Sequence, residues 1–161
     1  MHWNYCKFIP GQNKKERIKS FYRGKYEDSE QLDWFLAKFK SGNTLIIDKE
    51  TGTIVSEVNN EIITDKINYS IIKNELYASD DNYIYKINPI SGSLVWKMND
   101  IKNNNILHII SNCLVVVSKN HVLGLHKDQG QVLWRYHVSS TWPELITDKK
   151  RIVYILVLIK I

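Results

Sequence analysis

Ile84-Tyr-Lys-Ile-Asn-Pro-Ile-Ser-Gly-Ser-Leu-Val-Trp96 is one of three versions of a single phrase in this chain. The others are Leu45-Ile-Ile-Asp-Lys-Glu-Thr-Gly-Thr-Ile-Val and Val122-Leu-Gly-Leu-His-Lys-Asp-Gln-Gly-Gln-Val-Leu-Trp134. Aligned on Gly52, Gly92 and Gly130, the phrases lie 40 and 38 residues apart, and a Trp follows the second and third glycines by four positions. Ser56 holds that place in the first. Within each phrase a short apolar run, a polar turn and a second apolar run describe a β-hairpin, and a turn this tight favours glycine where φ must be positive. Asp48 and Asn88, four residues before their glycines, carry side chains suited to accepting turn amides. His126 stands there in the third phrase, which predicts a differently built turn.

A period near forty is that of a four-stranded propeller blade, as WD40 repeats also show. The surrounding sequence supplies further strands. Trp34 to Lys40 and Asn43 to Asp48 form one hairpin, Asn74 to Asp80 and Asn82 to Asn88 another, and the remaining strand of each later unit is expected from Glu61–Lys66 and Ile106–Ile110. The fold expected is all-β, a partial β-propeller of four-stranded antiparallel blades at about 33–60, 61–100 and 101–140, with an incomplete blade over 141–161. Residues 1–32 are set apart as an N-terminal segment, in which Trp3 to Ile9 is a candidate ring-closing strand. Leu94 with Trp96, and Val132 with Trp134, share a strand face, so the tryptophans read as packing between blades.

The pattern Ile/Leu-x-x-Asp/Asn-x-x-Thr/Ser-Gly-x-Leu/Ile-Val-Trp resembles the PQQ-like (quinoprotein alcohol dehydrogenase-like) β-propeller repeat, over about four fifths of the chain on the period argument. The resemblance implies a fold more firmly than an activity. It points to quinone-dependent alcohol dehydrogenases, the periplasmic outer-membrane assembly lipoprotein, luminal sensing domains of unfolded-protein-response kinases, and the large subunit of the endoplasmic-reticulum membrane complex. Only the first class is enzymatic, and its chemistry implies a complete ring, a calcium-bound quinone, a catalytic Asp and commonly a vicinal disulfide. Cys6 and Cys113 are not adjacent, and the aspartates Asp48, Asp65, Asp80, Asp81, Asp128 and Asp148 fall in or near turns, where Asp is favoured for backbone reasons.

The other residues that bear on chemistry read as structural. His121 and His126 are five apart on one strand, so they point to opposite faces. His108 and His137 lie on other strands, and no zinc or iron spacing appears. The basic run Lys14, Lys15, Arg17, Lys19, Arg23 and Lys25, interleaved with Phe21, Tyr22 and Tyr26, is diluted by Glu16, Glu27, Asp28 and Glu30. With a net charge of only +5, no nucleic-acid partner is expected. Ile152 to Ile159 is an apolar run of eight, well short of the ~20 residues a membrane-spanning helix needs.

The expected function is a non-catalytic scaffold or protein-protein interaction module within a larger propeller, with a protein partner or further copies completing the ring. The alternatives are part of a PQQ-dependent dehydrogenase, or a truncated product with no independent function. No catalytic, cofactor-binding or metal residue is assigned. Tyr69, Tyr83, Tyr85 and Trp142 are the candidate partner contacts. Met1 to Pro10 lacks the basic start and apolar core of a signal peptide. That places a complete chain in the cytoplasm, and a piece of a longer precursor in the periplasm or the endoplasmic-reticulum lumen.

Overall fold

The computed structural model describes residues 18–22, 32–59, 67–99, 105–118, 120–137, 143–147 and 153–157. Among them are β1 (Ile18–Tyr22), β2 (Trp34–Phe39), β3 (Thr44–Asp48), β4 (Ile54–Glu57), β5 (Asn68–Ile72), β6 (Glu75–Ser79), β7 (Ile84–Ile87), β8 (Leu94–Met98), β9 (Asn105–Ile110), β10 (Cys113–Ser118), β11 (His121–His126), β12 (Val132–His137), β13 (Pro143–Thr147) and β14 (Val153–Val157). They form three antiparallel four-stranded meanders, β1 to β4, β5 to β8 and β9 to β12, and a two-stranded sheet β13–β14.

Two strands depart from the sequence reading. The first blade begins at β1, inside the segment set apart as 1–32, and Phe21 and Tyr22 pair with Ala37 and Leu36. In the second blade the first strand is β5, which follows the stretch 61–66 expected to be that strand; 61–66 lies outside the described residues, as do Trp3 to Ile9. No loop separates β5 from β6. Lys73 and Asn74, with φ of 49° and 62°, form a two-residue turn whose paired positive φ values follow the right-handed strand twist. Ser111, with φ of 53°, opens the corresponding two-residue connection between β9 and β10.

Side-chain parity sorts each blade into two faces. Leu36 and Ile46 of the first sheet meet Tyr69, Ile71, Leu76, Ala78, Tyr85 and Ile87 of the second. The opposite face of the second sheet, with Ile72, Tyr77, Ile84 and Trp96, meets Ile109, Leu114, Val116, Leu123 and Leu125 of the third. Ala37, Phe39, Leu45 and Ile47 form the outward face of the first blade, and Val115, Val117 and Val122 that of the third. The blades therefore stack face to face, with β5 approached by both β1 and β9. The middle strands are buried on both faces and read as continuous apolar runs, whereas β4, β8 and β12 at the rim are mostly exposed.

Candidate interaction surface

Each blade carries its glycine phrase as the turn between its third and fourth strands. Gly52, Gly92 and Gly130 have φ of 70°, 69° and 70°, a region in which an L-residue's Cβ crowds its own backbone. The three turns share one backbone pattern. Gly52 N donates to Asp48 O (3.0 Å), Gly92 N to Asn88 O (2.8 Å) and Gly130 N to His126 O (2.8 Å), while the amides of Asp48, Asn88 and His126 donate to Thr53, Ser93 and Gln131. Asp48 Oδ1 accepts the amides of Glu50 and Thr51, and Asn88 Oδ1 those of Ile90 and Ser91. The amide and hydroxyl of Thr51 hold the Asp48 carboxyl below its ordinary range.

The third turn keeps these backbone bonds, and it is in its side-chain cap that it is built differently, as the sequence reading expects. His126 Nδ1 accepts the Asp128 amide at 3.3 Å, so an imidazole nitrogen occupies the place of the carboxylate or amide oxygen. The imidazole accepts one turn amide, where Asp48 and Asn88 each accept two.

The turns also join the blades. Trp96, 8% exposed, extends from β8 to the third blade, where its indole Nε1 donates to Lys127 O at 2.9 Å. Ser56 on β4 does the same with a shorter group, donating its hydroxyl to Pro89 O at 2.9 Å. Lys127 follows His126, and Pro89 follows Asn88, so the two donors use the same carbonyl of the motif. The glycines make the approach possible. A Cβ on Gly92 would lie 1.9 Å from Glu57 O, and one on Gly130 would lie 2.7 Å from the Trp96 ring. A Cβ on Gly52 would meet nothing within 4 Å. Trp134, half-buried, lies over Gly124 of its own sheet and, with Cys113, packs against Val115, Val117 and Val122.

Polar groups reinforce these junctions. Between the first and second blades, Tyr69 donates its hydroxyl to Thr44 Oγ1 (3.2 Å), and the buried Lys38 donates to Ile67 O (3.3 Å). Burial pushes the Tyr69 hydroxyl up to about 12. Between the second and third, Glu75 accepts from Lys127 and, at 2.9 Å, Lys86, while Lys86 also meets Asp128 at 2.7 Å. Burial pushes the Glu75 carboxyl up, but bonds from Lys127, Tyr77 and Lys86 outweigh it and leave the group below its ordinary range. Lys127 is raised by its bond to Glu75, and Asp128 lowered by its bond to Lys86. The sequence reading missed this network. Lys86 and Asp128 are 42 residues apart, and the only sequence signal is that separation, close to one repeat.

Two of the candidate contacts are interior residues. Tyr85 is 3% exposed and donates to Asp80 Oδ2 at 2.7 Å, and Tyr69 is spent on the junction above. Tyr83 is half-buried, with Lys97 Nζ 3.7 Å from its ring centroid; Trp142 lies outside the described residues. His121 and His137 stand opposite each other across β11 and β12 with ring centroids 5.2 Å apart, a pairing set by strand register and invisible to spacing along one strand. Burial raises the Cys113 thiol.

The structure is similar to solved proteins. BamB from Moraxella catarrhalis matches 68% of this chain at 16% identity with a TM-score of 0.54. The fold is that of part of a β-propeller. The WD40 domain of SCAP from fission yeast matches 80% of the chain at 13% identity and a TM-score of 0.53, and the computationally designed Ika8 protein 73% at 18% and 0.56. The chain spans only 35%, 36% and 38% of these three neighbours. No protein-family model and no curated protein matches the sequence. No helix among the described residues is long and apolar enough to cross a membrane.

Proposed function

We propose that this chain is a non-catalytic β-propeller scaffold, a set of blades that acts by binding protein within a larger propeller. The observation that carries the reading is the use to which its chemistry-bearing groups are put. Glu75, Lys86, Lys127 and Asp128 neutralise one another across a blade junction, and the hydroxyls of Tyr69, Tyr77 and Tyr85 are committed to packing contacts. Apolar groups remain exposed at the rim, with Leu133 and Tyr136 51% and 64% accessible, as suits a surface that meets another protein.

The competing quinone-enzyme reading has a direct test. Adding pyrroloquinoline quinone with calcium to the purified chain should leave its melting temperature unchanged. A saturable rise with one-site concentration dependence would contradict the non-catalytic reading.

A further inference from the structure

The described histidines divide into two groups. His126 is spent in its turn, with Nδ1 on the Asp128 amide and Nε2 2.7 Å from Asn112 Nδ2, and His108 has a contact of its own. His121 and His137 differ. Among the described residues neither ring has a hydrogen-bond or ion-pair partner, so the pair keeps its ring nitrogens for another species.

Strand pairing holds these two rings together. His121 opens β11 and His137 closes β12, opposite each other in the register and on the face that turns Leu123 toward the second blade. His121 is half-buried and His137 exposed, so the pair lies within reach of solvent. The ring centroids are 5.2 Å apart and the ring planes cross at 86°. Two imidazoles on one tetrahedral ion, with metal–nitrogen bonds of about 2.0–2.1 Å, have ring centres about 5 Å apart. The backbone therefore already spaces these rings as such an ion would. The broad ring torsion of His lets each turn a nitrogen into the gap without moving a strand.

We propose that His121 and His137 form a two-imidazole site for a divalent transition ion of the zinc and copper class. Imidazole suits these ions, whereas calcium and magnesium require oxygen ligands. No cluster of three or more His, Cys, Asp or Glu ligands occurs among the described residues, so the ion's other positions go to water or to a donor atom of a bound molecule. Arg135, on the same face two residues before His137, is exposed and can carry its charge away into solvent. The site is independent of the scaffold reading, and either can fail without the other.

The test is calorimetric titration of the untagged, metal-stripped chain with zinc chloride, with circular dichroism as the fold control. The wild-type chain is expected to bind zinc at this pair, copper more tightly, and calcium or magnesium not at all. Losing an outer-shell partner of a metal-bound His costs about 10–100-fold in affinity, so His121→Asn and His137→Asn, each removing one of two ligands, should weaken zinc binding at least about tenfold. A single remaining imidazole cannot chelate. The double variant should therefore bind little more weakly than either single one, a non-additivity that a merely structural role for the rings would not produce. In NMR spectra of the wild-type chain, zinc should move the ring signals of His121 and His137 together, ahead of those of His108 and His126. A folded wild-type chain that takes up no zinc, single variants that bind it as tightly as the wild type, or other histidines responding first would each overturn the inference. The pair would then be an edge-to-face aromatic contact, with the scaffold reading intact.

Discussion

Replacing each motif glycine by alanine separates the cost of backbone conformation from that of blade contact, because the three positions share a φ near 70° and differ in what a Cβ would meet. All three substitutions incur the left-handed penalty of roughly 1–2 kcal/mol. Gly52→Ala incurs only that, since its Cβ enters open space. Gly92→Ala also drives a methyl against the Glu57 carbonyl, backbone that can yield only if the blades separate, and overpacking of this kind costs a further ~1–3 kcal/mol. Gly130→Ala meets the Trp96 ring, which can tilt, so it should fall between the two. The assay is urea unfolding followed by circular dichroism. The predicted order of stability loss is Gly92 over Gly130 over Gly52, with Gly92→Ala exceeding Gly52→Ala by at least ~1 kcal/mol. A double-mutant cycle sharpens the test. In a Trp96→Ala background the added cost of Gly130→Ala should shrink towards that of Gly52→Ala, because the ring it collides with is gone. Equal losses at the three glycines, or full additivity of Trp96→Ala with Gly130→Ala, would refute the contact argument.

Three further outcomes follow from the same junctions. Ser56→Ala should cost about 0.5–1.5 kcal/mol through its lost bond to Pro89, and Trp96→Ala about 3–5 kcal/mol through lost burial, both read by urea unfolding. Glu75 and Asp128 have folded pKa values below their ordinary ones, so the unfolded chain binds more protons and stability falls as pH drops below the ordinary carboxylate values of 4.5 and 3.8. Lys127 is raised above 10.5, so its contribution is complete below that pH and is lost as pH rises through the folded value; Glu75→Gln should flatten both limbs of the stability profile measured by urea titration. Tyr85→Phe should cost about 1 kcal/mol of stability, since its hydroxyl serves Asp80 in the interior, and should leave any partner affinity unchanged in a titration.

The glycine phrase made the fold legible because a turn requiring positive φ restricts sequence at one position, and the four-residue step to Trp96 and Trp134 marks the strand that follows it. What was not legible depends on register between distant segments. Lys73 enters the left-handed region without a sequence cue, so the turn joining β5 to β6 was read as a longer connection, and the apolar stretch 61–66 was taken for β5. The strand β1 lies in a basic segment that fits either a solvated loop or a strand with a charged outer face, and charge alone does not choose between them. Tyr83 and Tyr85 look alike in the sequence, and only the strand pairing tells that one is half-exposed beside Lys97 and the other sealed against Asp80. At His126 residue type foretells the changed side-chain cap but not the backbone bonds, which the turn keeps.

Blade-to-blade joining through the glycine turn is the central claim, and the indole proton of Trp96 reports on it directly. In an NMR hydrogen-exchange experiment that proton, donated to Lys127 O across the junction, should exchange only through separation of the second and third blades, orders of magnitude more slowly than a solvent-exposed indole. Exchange at the rate of an exposed indole, under conditions in which the strand amides remain protected, would contradict the account.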